Sequence, residues 1–122
     1  MKVSEIMSTT LTTIEPESTL GEAATIMGER KVGSVLVCED DQLVGILTER
    51  DIVRALSSEH DAPMRPVAEW MTKGPQTTRP DADVRDALRT MVDGGFRHLP
   101  VLDADRTVGM VSIRDVAGSM AD

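Results

Sequence analysis

Tyrosine is absent from this chain of 122 residues, and phenylalanine and tryptophan occur once each. That argues against a single-stranded nucleic-acid platform, which needs several stacking rings. Leu, Val, Ile and the eight Met must therefore fill the interior. Positive charge is also short: 13 Lys and Arg face 21 Asp and Glu, a net charge of −8. Nucleic acid and anionic membrane surfaces both require clustered cations, so neither is an expected partner. The single cysteine, Cys38, excludes an intrachain disulfide and a multi-cysteine zinc site. No apolar run approaches a membrane span, and Met1-Lys2-Val3-Ser4-Glu5 lacks the apolar core of a signal peptide. The apolar share of 40 % suffices for a packed core. These facts predict a soluble, cytoplasmic, single-domain protein.

What the chain does have is a duplication. Residues 3–58 align with 67–122 at an offset of 64, without a gap. Val3/Val67, Glu5/Glu69, Met7/Met71, Thr13/Thr77, Pro16/Pro80, Ala23/Ala87, Met27/Met91 and Val37/Val101 are identical. So are Asp41/Asp105, Val44/Val108, Gly45/Gly109, Arg50/Arg114 and Asp51/Asp115. Between the repeats, residues 59–66 are polar with two prolines and read as a connector.

Each repeat gives the same coarse pattern. An amphipathic turn at Val3–Met7 leads to an extended segment at Thr12–Ile14 that ends at Pro16. Leu20, Ala23, Ala24 and Met27 then form a helical stripe, with Thr19 and Glu22 as a capping-box start. The runs Val35–Cys38 and Leu43–Leu47 flank the acidic turn Glu39–Gln42 and read as a hairpin. A last helix begins at Thr48 and carries Ile52, Val53 and Leu56. In the second repeat, Val84, Ala87, Leu88, Met91 and Val92 make the first helix stripe. Leu99–Leu102 and Thr107–Val111 make the hairpin, and Ile113–Met120 the last helix. Pro100 is expected at a strand start or edge because it has no N–H to donate. Strands this apolar need cover on both faces, and half a chain of about 60 residues buries little alone. The expected fold is therefore α/β (α+β), two tandem β-α-β-β-α repeats packed about a pseudo-twofold axis.

The repeated hairpin ends in Gly45-Ile46-Leu47-Thr48-Glu49-Arg50-Asp51 and in Gly109-Met110-Val111-Ser112-Ile113-Arg114-Asp115. One reading is helix capping, a Thr or Ser N-cap with an acid three residues on. Capping leaves two features unexplained. Arg50 and Arg114 stand where the helix dipole disfavours a cation, and each Gly suits close approach by a strand or a ligand. The second reading is a ligand site. A helix N-terminus with free N–H groups and a hydroxyl suits a phosphate, and a carboxylate one turn on suits a ribose diol.

With both repeated endings in view, the chain resembles a tandem pair of cystathionine β-synthase (CBS) domains, a Bateman module. The resemblance rests on these endings, on Leu99-Pro100-Val101-Leu102-Asp103, and on the Thr-x-x-Pro segments Thr13–Pro16 and Thr77–Pro80. It implies CBS repeats at 3–58 and 67–122, joined by 59–66. It also implies adenosine-containing ligands (AMP, ADP, ATP or S-adenosylmethionine) in two clefts between the repeats, a homodimer, and regulation of another protein. By position, one cleft would use Asp115 for ribose and Ser112, Arg97 and His98 for phosphate, with adenine around Ser4, Thr9 and Val32. The other would use Asp51 and Thr48, with adenine near Ala68, Lys73 and Phe96. Gly33 and Ser34 stand where the second repeat has Arg97 and His98, leaving Lys31 as a more distant cation. Unequal sites follow, with phosphate favouring the Asp115 cleft.

Plainer readings stand beside these. His98 is equally an exposed strand end, His60 a solvated connector residue, and Cys38 a buried inert thiol. Arg50 and Arg114 are alternatively partners of nearby acids. The Met are core filler, and Glu39-Asp40-Asp41 is a solvated hairpin tip, so no metal site is expected. No nucleophile–base pair and no Walker-type loop occur, which argues against an enzyme. Since nothing follows Met120-Ala121-Asp122 in this sequence, output is expected through a separate partner. The alternative is a structural dimerisation module with empty clefts.

Overall fold

A computed structural model describes residues 1–121; Asp122, the last residue of the second repeat, lies outside the described residues. The first repeat supplies β1 (Thr13–Ile14), α1 (Leu20–Arg30), β2 (Ser34–Glu39), β3 (Gln42–Thr48) and α2 (Glu49–Ser58). The second supplies β4 (Thr72–Lys73), α3 (Val84–Gly94), β5 (His98–Asp103), β6 (Arg106–Ser112) and α4 (Ile113–Met120). Short 3-10 turns lie at Val3–Glu5, Ala62–Met64 and Val67–Glu69. Among the described residues, no helix is long and apolar enough to cross a membrane.

The chain packs as two units: Thr12–Pro75, and Met1–Leu11 together with the residues from Gln76 onward. Each unit is built around the hairpin of one repeat and takes its opening turn from the other. In the first, β1 runs parallel to β2, β2 pairs antiparallel with β3, and β4 completes the edge beside β3. In the second, β5 pairs with β6, Thr78 bridges Val101 in parallel, and Ser8 bridges Met110. Ser8 and Thr72 are equivalent by the offset of 64, so the same edge is completed twice by exchanged segments.

Burial explains why the exchange holds. Val3 and Val67 are both fully buried, each in the core of the unit that receives it. Burying such a side chain is worth about 1.5–3 kcal/mol. The backbone follows the same plan: Val3 N donates to Ala82 O at 2.8 Å and Val67 N to Ser18 O at 2.7 Å. The Ser4 amide reaches Pro80 O at 2.9 Å and the Ala68 amide reaches Pro16 O at 3.0 Å. The proline of each Thr-x-x-Pro segment therefore docks an opening turn.

The helix starts follow from local chemistry. Thr19 accepts from the Glu22 amide at 3.1 Å, the cap expected for α1, and Asp83 accepts from the Arg85 amide at the start of α3. Four apolar expectations differ. Ala24 is exposed, and Val53, Leu56 and Val92 are more than half exposed. The buried line of α2 is Asp51 with Ala55, four residues apart, so Val53 and Leu56 are turned outward. Residues 59–66 are also packed in place. Ala62 is fully buried, the Leu20 amide donates to Arg65 O, and Arg65 pairs with Glu59, Asp61 and Glu69.

Pro100 sits third in β5, fully inside the strand. Thr78 N donates to Pro100 O, and Thr78 O accepts from Leu102 N. The first repeat adds a bond from Leu36 N to Thr12 O that Pro100, the equivalent of Leu36, cannot donate, so here the parallel pairing rests on the two Thr78 bonds.

Candidate functional site

The residues after each hairpin strand build the candidate sites, and Gly45 and Gly109 are the first to be explained. A Cβ on Gly45 would lie 2.6 Å from Met71 Sδ and 2.9 Å from Thr72 O. On Gly109 it would lie 2.5 Å from Met7 Sδ and 3.0 Å from Ser8 O. Each glycine makes room for the exchanged opening segment. The close approach is by backbone, which is the strand alternative left open for these positions.

As the last residues of β3 and β6, Thr48 and Ser112 cap α2 and α4 with reciprocal bonds. Thr48 N donates to Asp51 Oδ2 at 2.9 Å, and Asp51 N to Thr48 Oγ1 at 3.4 Å. Ser112 N donates to Asp115 Oδ2 at 2.9 Å, and Asp115 N to Ser112 Oγ at 3.0 Å. The first amide of each helix is also engaged: Glu49 N donates to Gly33 O and Ile113 N to Arg97 O. Two of the first three amides at each end are thus satisfied within the protein. The hydroxyls act as helix caps in both repeats.

The second unit gathers Ser112, Asp115, Arg97 and His98. Arg97 O anchors the first turn of α4, and His98 pairs with Ser112 across β5 and β6. Arg97 is exposed and His98 half-buried. Ser4 and Thr9 belong to this same unit, Ser4 on the turn tied to Pro80 and Thr9 next to the Ser8 bridge. The first unit gathers Thr48 and Asp51 with Ala68 and Lys73, Lys73 pairing with Gly45 across β3 and β4. Gly33 and Ser34 take the places of Arg97 and His98, and Lys31 is exposed at the end of α1. Val32 and Phe96 follow the ends of α1 and α3 and pack on their own cores. Each belongs to the other unit from the carboxylate with which the resemblance grouped it.

Besides the repeated Arg50 and Arg114, a third arginine, Arg54, joins the first of these helix starts. Arg54 NH1 donates to Asp51 Oδ1 at 3.2 Å, and its Cζ lies 5.9 Å from the centre of the Trp70 ring. The signal was present, since a cation three residues after an acid shares its helix face. Among the described residues, no group of three His, Cys, Asp or Glu is arranged to hold a metal ion.

With this geometry established, comparison with known proteins is decisive. The family model of the CBS domain matches residues 3–58 and 67–122. The chain belongs to the CBS domain family. A 17.7 kDa protein of Acidianus ambivalens is 42 % identical over 124 residues, 99 % of this chain and 74 % of that protein. The CBS-domain containing protein of Agrobacterium tumefaciens superposes with a TM-score of 0.93 at 29 % identity, covering 99 % of this chain and all of that one. The CBS domain pair of protein MJ0100, solved with 5′-methylthioadenosine and S-adenosyl-L-methionine, gives 0.90 at 26 % identity, covering 98 % and 94 %. CBSX2, solved in complex with AMP, gives 0.85 at 25 % identity, covering 97 % and 94 %. The CBS fold of two strand–helix repeats thus holds for this chain over almost its whole length.

Proposed function

We propose that this CBS pair is a non-catalytic sensor of adenosine-containing ligands, of the class AMP, ADP, ATP or S-adenosylmethionine. Its output passes to a separate protein, and it works as a cytoplasmic homodimer. The observation that carries this reading is the set Ser112, Asp115, Arg97 and His98 at the start of α4. A carboxylate held by a capping box is pre-oriented for a ribose diol, and the same helix start carries Arg97 and His98, where the first repeat has Gly33 and Ser34. The ligands solved in MJ0100 and CBSX2 share an adenosine group with this class, which supports the assignment. Ser4 and Thr9 are the adenine neighbours proposed for Asp115 within its unit, and Ala68 and Lys73 those proposed for Asp51 and Thr48 within theirs.

A bound nucleotide acts as a signal only if its affinity differs between two arrangements of the protein. The retained Asp and hydroxyl in both repeats favour sensing over a purely structural dimerisation module. Calorimetric titration of ligand-stripped protein with AMP, ADP, ATP and S-adenosylmethionine tests the reading. Saturable binding that weakens at least tenfold in Asp115→Asn, and for the phosphorylated ligands in Arg97→Ala, is expected. Absence of binding at millimolar ligand by the folded protein would overturn it in favour of the structural module.

A further inference from the structure

Asp51 and Asp115 occupy equivalent capping boxes, yet their surroundings differ at one position that changes what each carboxylate can accept. In the first repeat both oxygens of Asp51 are engaged: Oδ2 by the Thr48 amide and hydroxyl, Oδ1 by Arg54. The Asp51 side chain is only 7 % exposed, whereas that of Arg54 is 61 % exposed. Arg54 also lies over Trp70, a cation–ring contact that favours this rotamer. In the second repeat the equivalent of Arg54 is Gly118 and the equivalent of Trp70 is Ile6. Asp115 therefore has no counterpart of this ion pair and ring contact.

A ribose diol reaches a carboxylate by donating two hydrogen bonds to it. At Asp51 those neutral donors must displace a charge-assisted bond from the guanidinium, which is the stronger kind. At Asp115 no residue at position 118 opposes them. We infer that Arg54, steadied by Trp70, is an internal competitor for the Asp51 carboxylate that weakens adenosine-ligand binding at the start of α2 relative to α4. This inference rests on the adenosine reading above and adds to it a residue that sets the inequality of the two ends. The effect is graded, because Arg54 is largely solvated and exposed ion pairs are weak. Removing the competitor tightens the Asp51 end by about fivefold, the equivalent of about 1 kcal/mol.

The test is calorimetry with AMP on paired variants, each checked for folding by thermal melting. In an Asp115→Asn background, which isolates the Asp51 end, Arg54→Ala and Arg54→Gln both tighten AMP binding about fivefold. In an Asp51→Asn background the same substitutions have no effect, which a general loss of helix stability would not reproduce. Conversely, Gly118→Arg weakens AMP binding in the Asp51→Asn background. That position accepts a side chain, since a Cβ there meets nothing within 4 Å. If AMP binds the wild-type chain but Arg54→Ala leaves the Asp51 end unchanged or weaker, Arg54 is no competitor and the adenosine reading stands. If AMP binds no form of the protein, the adenosine reading fails and this inference falls with it.

Discussion

At Thr48 and at Ser112 the chain performs the same local operation, and one turn later the two copies part. Both hydroxyls cap a helix, both amides bind the carboxylate three residues on, and both first helical amides reach back to the residue before the hairpin. Position 54 then brings a guanidinium onto Asp51 and Trp70, whereas position 118 brings a glycine. Position 97 brings an arginine beside the second helix start, whereas position 33 brings a glycine. A duplicated backbone thus keeps its caps, which hold the fold, while side chains around the caps drift apart. The difference separates structural from chemical use of one motif. The identical caps serve folding in each repeat and leave both carboxylates in the same place; what differs around them is where unequal ligand binding is to be sought.

The comparison predicts equal behaviour where packing is equal. Gly45→Ala and Gly109→Ala each force a Cβ within about 3 Å of an exchanged backbone carbonyl, Thr72 O or Ser8 O. Overpacking of this kind costs about 1–3 kcal/mol, and both variants are expected to lose about 2 kcal/mol in urea unfolding. A large loss at one glycine and none at the other would show that the two exchanged segments are not held alike.

A smaller effect separates the ends of α1 and α3. Both helices end in a left-handed residue, Lys31 at φ 56° and Gly95 at φ 73°. That conformation costs a side-chain-bearing residue about 1 kcal/mol more than glycine. Lys31→Gly is therefore expected to stabilise the chain by about 0.5–1 kcal/mol, and Gly95→Ala to destabilise it by about the same amount. Thermal melts of the two variants should move in opposite directions; movement in the same direction would contradict the shared cap geometry.

Much of this was legible in the sequence for identifiable reasons. The offset alignment, the helical stripes and the apolar runs around Asp40-Asp41 each carry a periodicity that survives without tertiary context. The exchange of opening segments carried no such signal. Ser8-Thr9 and Thr72-Lys73 are two-residue polar edges, and only the burial of Val3 and Val67 reveals which core they join. Val53, Leu56 and Val92 misled because a residue's apolarity does not state which face it takes. At the sites, the Thr/Ser–Asp pairs were legible because capping is local. Arg54 was not legible in the same way, because it has no counterpart in the second repeat and matters through what the copies do not share.

The smallest expected effect concerns Cys38, whose equivalent is Leu102. Cys38 lies in β2 just past the point where the ladder with β3 shifts register. Burial raises its thiol above the ordinary range, and the charge of Asp41 adds to the rise. The folded protein therefore holds this proton more tightly than the unfolded chain does. Below the ordinary thiol range both states are protonated and stability is unaffected. As pH climbs through that range the unfolded chain ionises first, so stability falls until the folded thiol titrates too. Alkylation by iodoacetamide should accordingly be slower than for a free thiol at pH 8. Asp41→Asn should shift the rate profile to lower pH. Cys38→Leu, which installs the residue of the second repeat, should remove the thiol's share of the alkaline loss of stability. A wild-type alkylation profile matching that of a free thiol would show that β2 does not shield this sulfur, and that positions 38 and 102 are packed differently despite their matching ladders.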